Sequence, residues 1–227
     1  MNRRWFLLGG GAVAAGVAAF ALWPSGGPRP ITIDEAGRLA LSRYTAFTAS
    51  PLRVRVEAPM AEGTVVVDGV IDYRSHHAVG EYRAPLGSGL IAWDAEGLRV
   101  APGRGGGLPE SVASTPDWSP RAYTDDPLDT ALRLSVLLGQ DRPDNAQVLA
   151  GQEARWLRRE AVGGRECDVF SGPRPRTGRR GGESPLAYWV DADGRMRRAT
   201  MRLPDGGTLT VGLDETASWS PPDTPWA

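Results

Sequence analysis

From Leu52 to Glu57 the side chains alternate, Leu52, Val54 and Val56 against Arg53, Arg55 and Glu57. Alternation of that kind suits an extended strand with one wet face; on a helix the same residues would be scattered around the circumference. Strand-like runs follow at 64–74, 77–83, 89–93 and 98–101, parted by turn-rich pieces such as Pro85-Leu86-Gly87-Ser88-Gly89 and Asp94-Ala95-Glu96-Gly97. Short strands joined in order by tight turns predict an antiparallel meander. After a stretch rich in Gly, Pro and Ser between Pro102 and Thr124, strands resume at 155–160 and 166–171 around Val162-Gly163-Gly164-Arg165, whose glycine pair suits a hairpin. Three more are predicted at 188–190, 195–203 and 208–213, joined by Asp191-Ala192-Asp193-Gly194 and Pro204-Asp205-Gly206-Gly207.

Two helices interrupt this pattern. Thr32-Ile33-Asp34-Glu35 has the spacing of a capping box, and Ile33, Ala36, Leu39, Ala40, Tyr44 and Phe47 recur at helical intervals behind it. Ser50-Pro51 ends that helix, because the proline ring drives the preceding residue out of helical angles. Asp126-Pro127 caps a second helix running to about Leu138. Its sequence, DTALRLSVLLG, is apolar over much of its surface, so it needs burial on more than one side or a cavity to line. The fold class that follows is α+β, mostly antiparallel β, with a sheet packed on a few helices.

The first residues belong to a different regime. Arg3 and Arg4 precede an uncharged run from Trp5 to Trp23, a basic flank before an apolar core as in an export signal. Arg3, Arg4, Phe6 and Leu7 resemble the twin-arginine signature; the same arginines also serve a general signal or anchor as a positive flank. The run nearly reaches the length of a spanning helix. Ala19-Phe20-Ala21 offers a small-x-small cleavage pattern, yet Leu22 and Trp23 extend the apolar run past it, which favours an anchor. The expected organisation is an export signal or transmembrane anchor over 1–23, a Pro/Gly tether over 24–31, one domain over 32–219 and an irregular Pro-rich tail over 220–227. The domain is then expected at the cell membrane on the extracytoplasmic side, or secreted if the signal is cleaved.

Helix, meandering strands, central helix and more strands form an element order that resembles the LolA-like half-barrel superfamily, most nearly the LppX/LprG-type actinobacterial envelope proteins. VVVDGVIDYRSHHAVGEYR at 65–83, REAVGGRECDVFSG at 159–172 and LAYWVDADGRMRRATMRLPDGGTLTVGLDE at 186–215 carry the likeness. The resemblance implies a curved half-barrel sheet wrapped over helices, holding a lipid, another amphiphile or a lipoprotein in the apolar space between them. It makes Val54, Val56, Val65, Val67, Ile71, Tyr73, Ile91 and Trp93 candidate cavity lining, completed by Leu132, Val136 and Leu137 of the central helix. An ordinary core needs the same alternation. A carrier or sensor of an amphiphile is therefore set against an envelope interaction or regulatory module with a filled core. The chain departs from the lipoprotein branch in having no cysteine after its apolar run to be acylated.

Little else in the sequence suggests chemistry. The net charge of −1 gives no global field toward nucleic acid or an anionic membrane, so partners must be recognised locally. The single cysteine, Cys167, allows no internal disulfide and reads as a small core residue. His76 and His77 are adjacent, so on a strand they point to opposite faces and do not share a metal; a site of one His with Asp72 or Glu81 is the weaker alternative. Asp191, Asp193 and Asp205 lack the ligand count of a calcium loop and suit turns. Gly103 to Gly107 lacks the Lys-Ser or Lys-Thr of a phosphate loop. Arg174, Arg176, Arg179 and Arg180 form the one basic cluster, which suits lipid phosphates, an acidic partner or plain solvation. With no nucleophile and base in view, the chain is expected not to be an enzyme and to need no cofactor and no metal.

Overall fold

The computed structural model describes residues 27–103, 117–151, 154–172, 184–218 and 221. Its first helix, α1 (Ile33–Ala49), starts where the capping box places it. The Thr32 hydroxyl accepts from the Glu35 N–H and the Glu35 carboxylate accepts from the Thr32 N–H. Ala36, Leu39, Ala40 and Ala46 form its buried stripe. Ile33, grouped with them in the periodicity, is instead 86% exposed, since it lies in the first turn before the helix reaches the sheet.

The strands are β1 (Arg29–Pro30), β2 (Leu52–Met60), β3 (Gly63–Asp72), β4 (His77–Ala84), β5 (Gly87–Trp93), β6 (Gly97–Pro102), β7 (Ser119–Ala122), β8 (Arg155–Val162), β9 (Arg165–Ser171), β10 (Leu186–Asp191), β11 (Met196–Arg202) and β12 (Thr208–Thr216). They make one open, curved sheet of 12 strands in the order β1-β8-β9-β10-β11-β12-β2-β3-β4-β5-β6-β7. All neighbours described are antiparallel. Two meanders, β2 to β7 and β8 to β12, are thus fused side by side through β12 and β2. Between them in the chain come α2 (Pro127–Val136) and α3 (Ala146–Gly151). The result is an α+β half-barrel: α2 lies in the hollow of the sheet on β2 and β12, and α1 packs on α3, β10 and β11.

Inward side chains of β2, β3, β5, β11 and β12 meet α2 in one large buried cluster. Leu39 of α1 joins Trp156, Phe170 and Val190 in a second. Three small elements were not expected. Arg29 and Pro30, read as tether, pair with β8 and belong to the domain. β7 contains Pro120 and lies at the sheet edge, where proline is tolerated. α3 is six residues long with no buried side chain. The outer face is also less wet than alternation suggests, because Val70, Val79, Leu90, Ala92 and Ala101 are all buried at outward positions of β3 to β6.

Three carboxylates tie the elements together. Glu35 is held by Arg29 at 2.6 Å. Asp168, 4% exposed, accepts from Arg38, Arg159 and the Trp156 indole. Asp129 accepts from both terminal nitrogens of Arg121 and from the Thr124 N–H and hydroxyl. The Arg29 hydrogen bond pulls the Glu35 carboxyl below its ordinary range. For Asp129 and Asp168 burial pushes upward, but the donors around each outweigh it and the net shift is downward. Groups titrating lower when folded contribute stability that is complete above the unfolded carboxylate range, about pH 4, and is lost as pH falls through the folded values. Urea midpoints should therefore be flat from neutrality to about pH 5 and fall steeply below about pH 4. A midpoint that rises on acidification would contradict the assignment.

Candidate functional site

The side chains expected to line a cavity do come together. Val54, Val56, Val67, Ile71, Tyr73, Ile91, Trp93, Leu132 and Val136 share one cluster between the sheet and α2. Val65 is buried on the same face of β3. Leu137 is not among them and is 60% exposed. It follows Leu132 by five residues, which turns it about 140° away from the face that Leu132 presents to the sheet.

Side chains fill the space between these residues. Val56, Val67, Ile71, Tyr73, Trp93 and Leu132 are all 0% exposed. A Cβ on Gly139, just past α2, would lie 2.2 Å from the Tyr73 ring, so chain and ring are already in contact. Ser135 is the polar hub of this interior. Its hydroxyl accepts from the Trp93 indole N–H at 3.0 Å and donates to the Leu132 carbonyl, while its carbonyl accepts from the Tyr73 hydroxyl at 3.0 Å. Burial raises the Tyr73 phenol far above its ordinary range, so it stays a neutral donor. At its N-terminus α2 is clipped to the sheet edge by Arg121 of β7 through Asp129. A polar residue on the inner face of an apolar helix needs partners, and Ser135 finds them both in its own helix and in Trp93 of the sheet.

Open volume lies on the other face. Registers place Arg158, Val169, Trp189, Arg198, Gly212, Arg55, Asp68 and Glu81 in one row across the outer surface from β8 to β4. Gly212 leaves a gap in it, and a groove of about 770 Å³ opens there beneath the β8–β9 turn. Two β-bulges shape the groove. Arg197 is the extra residue where β11 slips against β10, and β12 sets two residues, Asp214 and Glu215, against the single Arg53 of β2. Bulges re-aim side chains in this way. Arg197 is 7% exposed; its Nε donates to Asp191 at 2.9 Å, and its buried Nη2 has no partner among the described residues. Arg53 and Arg165 line the groove together with the carboxylate residues Asp68, Glu81, Asp214 and Glu215. A second groove, of about 660 Å³, lies over β10 beside Trp189.

The remaining candidates occupy structural positions. His76 is exposed in a turn at φ 60°, and His77 faces Asp72 across β3 and β4. Asp191 accepts from the N–H groups of Asp193 and Arg195, and Asp205 from that of Gly207, so these carboxylates hold their own turns. Cys167 is buried, and burial with the nearby Asp191 charge pushes its thiol upward. Arg3, Arg4, Phe6 and Leu7, the arginine cluster at 174–180 and glycines 105–107 lie outside the described residues, as does the apolar run 5–23. Among the described residues no helix is long and apolar enough to cross a membrane.

No protein-family model matches the chain, and no curated protein does. Among solved structures it is similar to an uncharacterized conserved protein from Thermus thermophilus, at 10% identity and a TM-score of 0.43, over 83% of this chain and 90% of that one. It is also similar to a domain assigned to outer membrane lipoprotein sorting from Vibrio parahaemolyticus, at 7% identity and a TM-score of 0.26, over 77% of this chain and 88% of that one.

Proposed function

We propose that the chain is an extracytoplasmic, membrane-proximal binding module of the LolA-like half-barrel kind, non-catalytic, with its hollow filled by α2 and its ligand taken on the outer face of the sheet. The observation that carries this is Arg197. A guanidinium 7% exposed, with its Nη2 unpartnered among the described residues, belongs to the lining of a groove of about 770 Å³. Leaving a buried donor unpaired costs about 1–3 kcal/mol, and a small shift of the Arg197 side chain that brings Nη2 to the groove would let a carboxylate or phosphate oxygen supply the missing acceptor. The anchor on this reading is the apolar run Trp5 to Trp23, and the Pro/Gly-rich residues after it are the tether.

A second role, carrying an amphiphile between sheet and α2, has its own support. One ten-residue helix covers the hollow of the sheet, and its inward face is joined to the strands by a few polar contacts around Ser135 and Asp129. An acyl chain would need α2 to swing out.

Gly212→Leu separates the two. A Cβ at Gly212 meets nothing closer than 3.8 Å, so a side chain can start there without a backbone clash and project into the groove. Glycerol phosphate or a short peptide with a free carboxylate, at about one hundred times its Kd, should raise the thermal midpoint of the parent by about 5 °C or more and leave that of Gly212→Leu unmoved. Equal shifts in both proteins would dismiss the groove. Acyl lipid in stoichiometric amount in organic extracts of the native protein would favour the carrier.

A further inference from the structure

Beside the Gly212 groove, the second outer groove has a different character. Its lining includes apolar Leu157, Ala187 and Trp189, which we call its floor, and its charged residues are all basic, Arg155, Arg158 and Arg202, beside several Ser and Thr hydroxyls. Among the described residues that line it there is no carboxylate; Glu160, outside the lining, pairs with Arg158 at 2.8 Å and with Arg198 at 3.5 Å, at contacts that are half-exposed and exchange readily for a phosphate. Leu157 is the extra residue of a third β-bulge, between Trp156 and Arg158, which turns a side chain of β8 onto this floor. Trp189 is 5% exposed and its indole N–H has no acceptor among the described residues. The guanidinium groups of Arg158 and Arg198 lie 5.4 and 5.5 Å from its ring centroid. An apolar floor with a tryptophan, ringed by arginines, is the chemistry of a membrane–water interface, where indole rings sit at headgroup level and guanidiniums meet phosphates.

Chain geometry points the same way. Pro28 is part of the groove wall, and the apolar run ends at Trp23. The residues between them reach about 18 Å at full extension. If the run is embedded, this groove is held within that distance of the bilayer whatever path the tether takes.

We propose that the Trp189 groove is the surface by which the domain rests on an anionic bilayer, with Arg155, Arg158 and Arg202 on lipid phosphates and the floor of Leu157, Ala187 and Trp189 against the interfacial region. The proposal rests on reading the Trp5 to Trp23 run as a membrane anchor. It differs from the Gly212 groove in taking a surface rather than a single ligand.

The test uses the full chain in phosphatidylcholine nanodiscs, with and without roughly one-third phosphatidylglycerol, all carrying the same fraction of a headgroup-nitroxide lipid. Fluorescence quenching of the parent minus that of Trp189→Phe isolates the contribution of Trp189. That difference should be large in anionic discs, small in zwitterionic ones, and lost when Arg155, Arg158 and Arg202 are all changed to Gln. Arg53→Gln with Arg165→Gln, on the other groove, should leave it unchanged. Each basic side chain near an anionic surface contributes roughly fivefold in partitioning, so the triple change should weaken association of the domain by about 100-fold. If Trp189→Phe does not fold, total quenching of the triple variant against the parent gives the same comparison. Quenching that is equal in both kinds of disc, or indifferent to the three arginines, would overturn the proposal while leaving the anchor intact. A chain that fails to stay with the discs would overturn the anchor instead, and quenching by added vesicles of the same compositions would then decide the groove by itself.

Discussion

Asp129→Ala should destabilise the domain by about 3 kcal/mol and loosen α2 ahead of global unfolding. The Asp129 side chain is 0% exposed and accepts four hydrogen bonds, two from Arg121 of β7 and two from Thr124, while sitting in the first turn of α2 where a negative charge is favoured. Breaking a fully buried pair costs about 3–5 kcal/mol. The lower end applies here because the abandoned Arg121 is 38% exposed and can return to water. The Thr124 N–H loses its acceptor as well, and the N-terminus of α2 loses its hold on the sheet edge. Hydrogen exchange over 127–138 should therefore rise more than over β2 or β12, and an environment-sensitive apolar dye should bind the variant better than the parent. Uniform loosening of all elements would mean that Asp129 supports the fold generally and does not latch α2.

What was legible in the sequence follows from which signals are periodic. The capping box at Thr32 and Glu35 marked α1 because two reciprocal hydrogen bonds require those residues at that spacing. The Gly163-Gly164 hairpin was equally plain, since both glycines sit at positive φ, 56° and 78°. Bulges were not visible: one extra residue, as at Leu157 or Arg197, leaves the composition of a strand unchanged and shows only against its partner. Both outer grooves depend on such residues, so the candidate sites were hidden although every strand that builds them was predicted. Pro120 concealed β7 by reading as loop, and the two residues of β1 are too few for any period. Alternation placed Val54, Val56, Val67 and Ile71 on one face, but it cannot distinguish a face covered by a helix from one lining a hollow, because both need the same apolar residues. Ser135 does not resolve this from sequence either, because its hydroxyl is satisfied by the Leu132 carbonyl of its own helix, and the bonds from Tyr73 and Trp93 show only in the structure.

The central claim is that the half-barrel is filled by its own helix, and Val67 and Leu132 test it from the two sides of the interface. Both are 0% exposed and belong to the same cluster, Val67 on the sheet and Leu132 on α2. Exchanging either for Trp adds an indole where neighbours already touch. Overpacking costs about 1–3 kcal/mol and occasionally more, and the upper end is expected because the neighbouring Tyr73 is pinned by its bond to Ser135 and by Gly139 against its ring. In a hollow barrel the same ring would take the place of a ligand, sparing stability and removing binding. The decisive measurement is thermal stability of Val67→Trp and Leu132→Trp alongside binding of a fluorescent fatty acid to the parent. A filled interior predicts a large loss of stability in both variants and no fatty-acid binding by the parent; a parent that binds the probe, with variants that stay folded and lose it, would contradict the account.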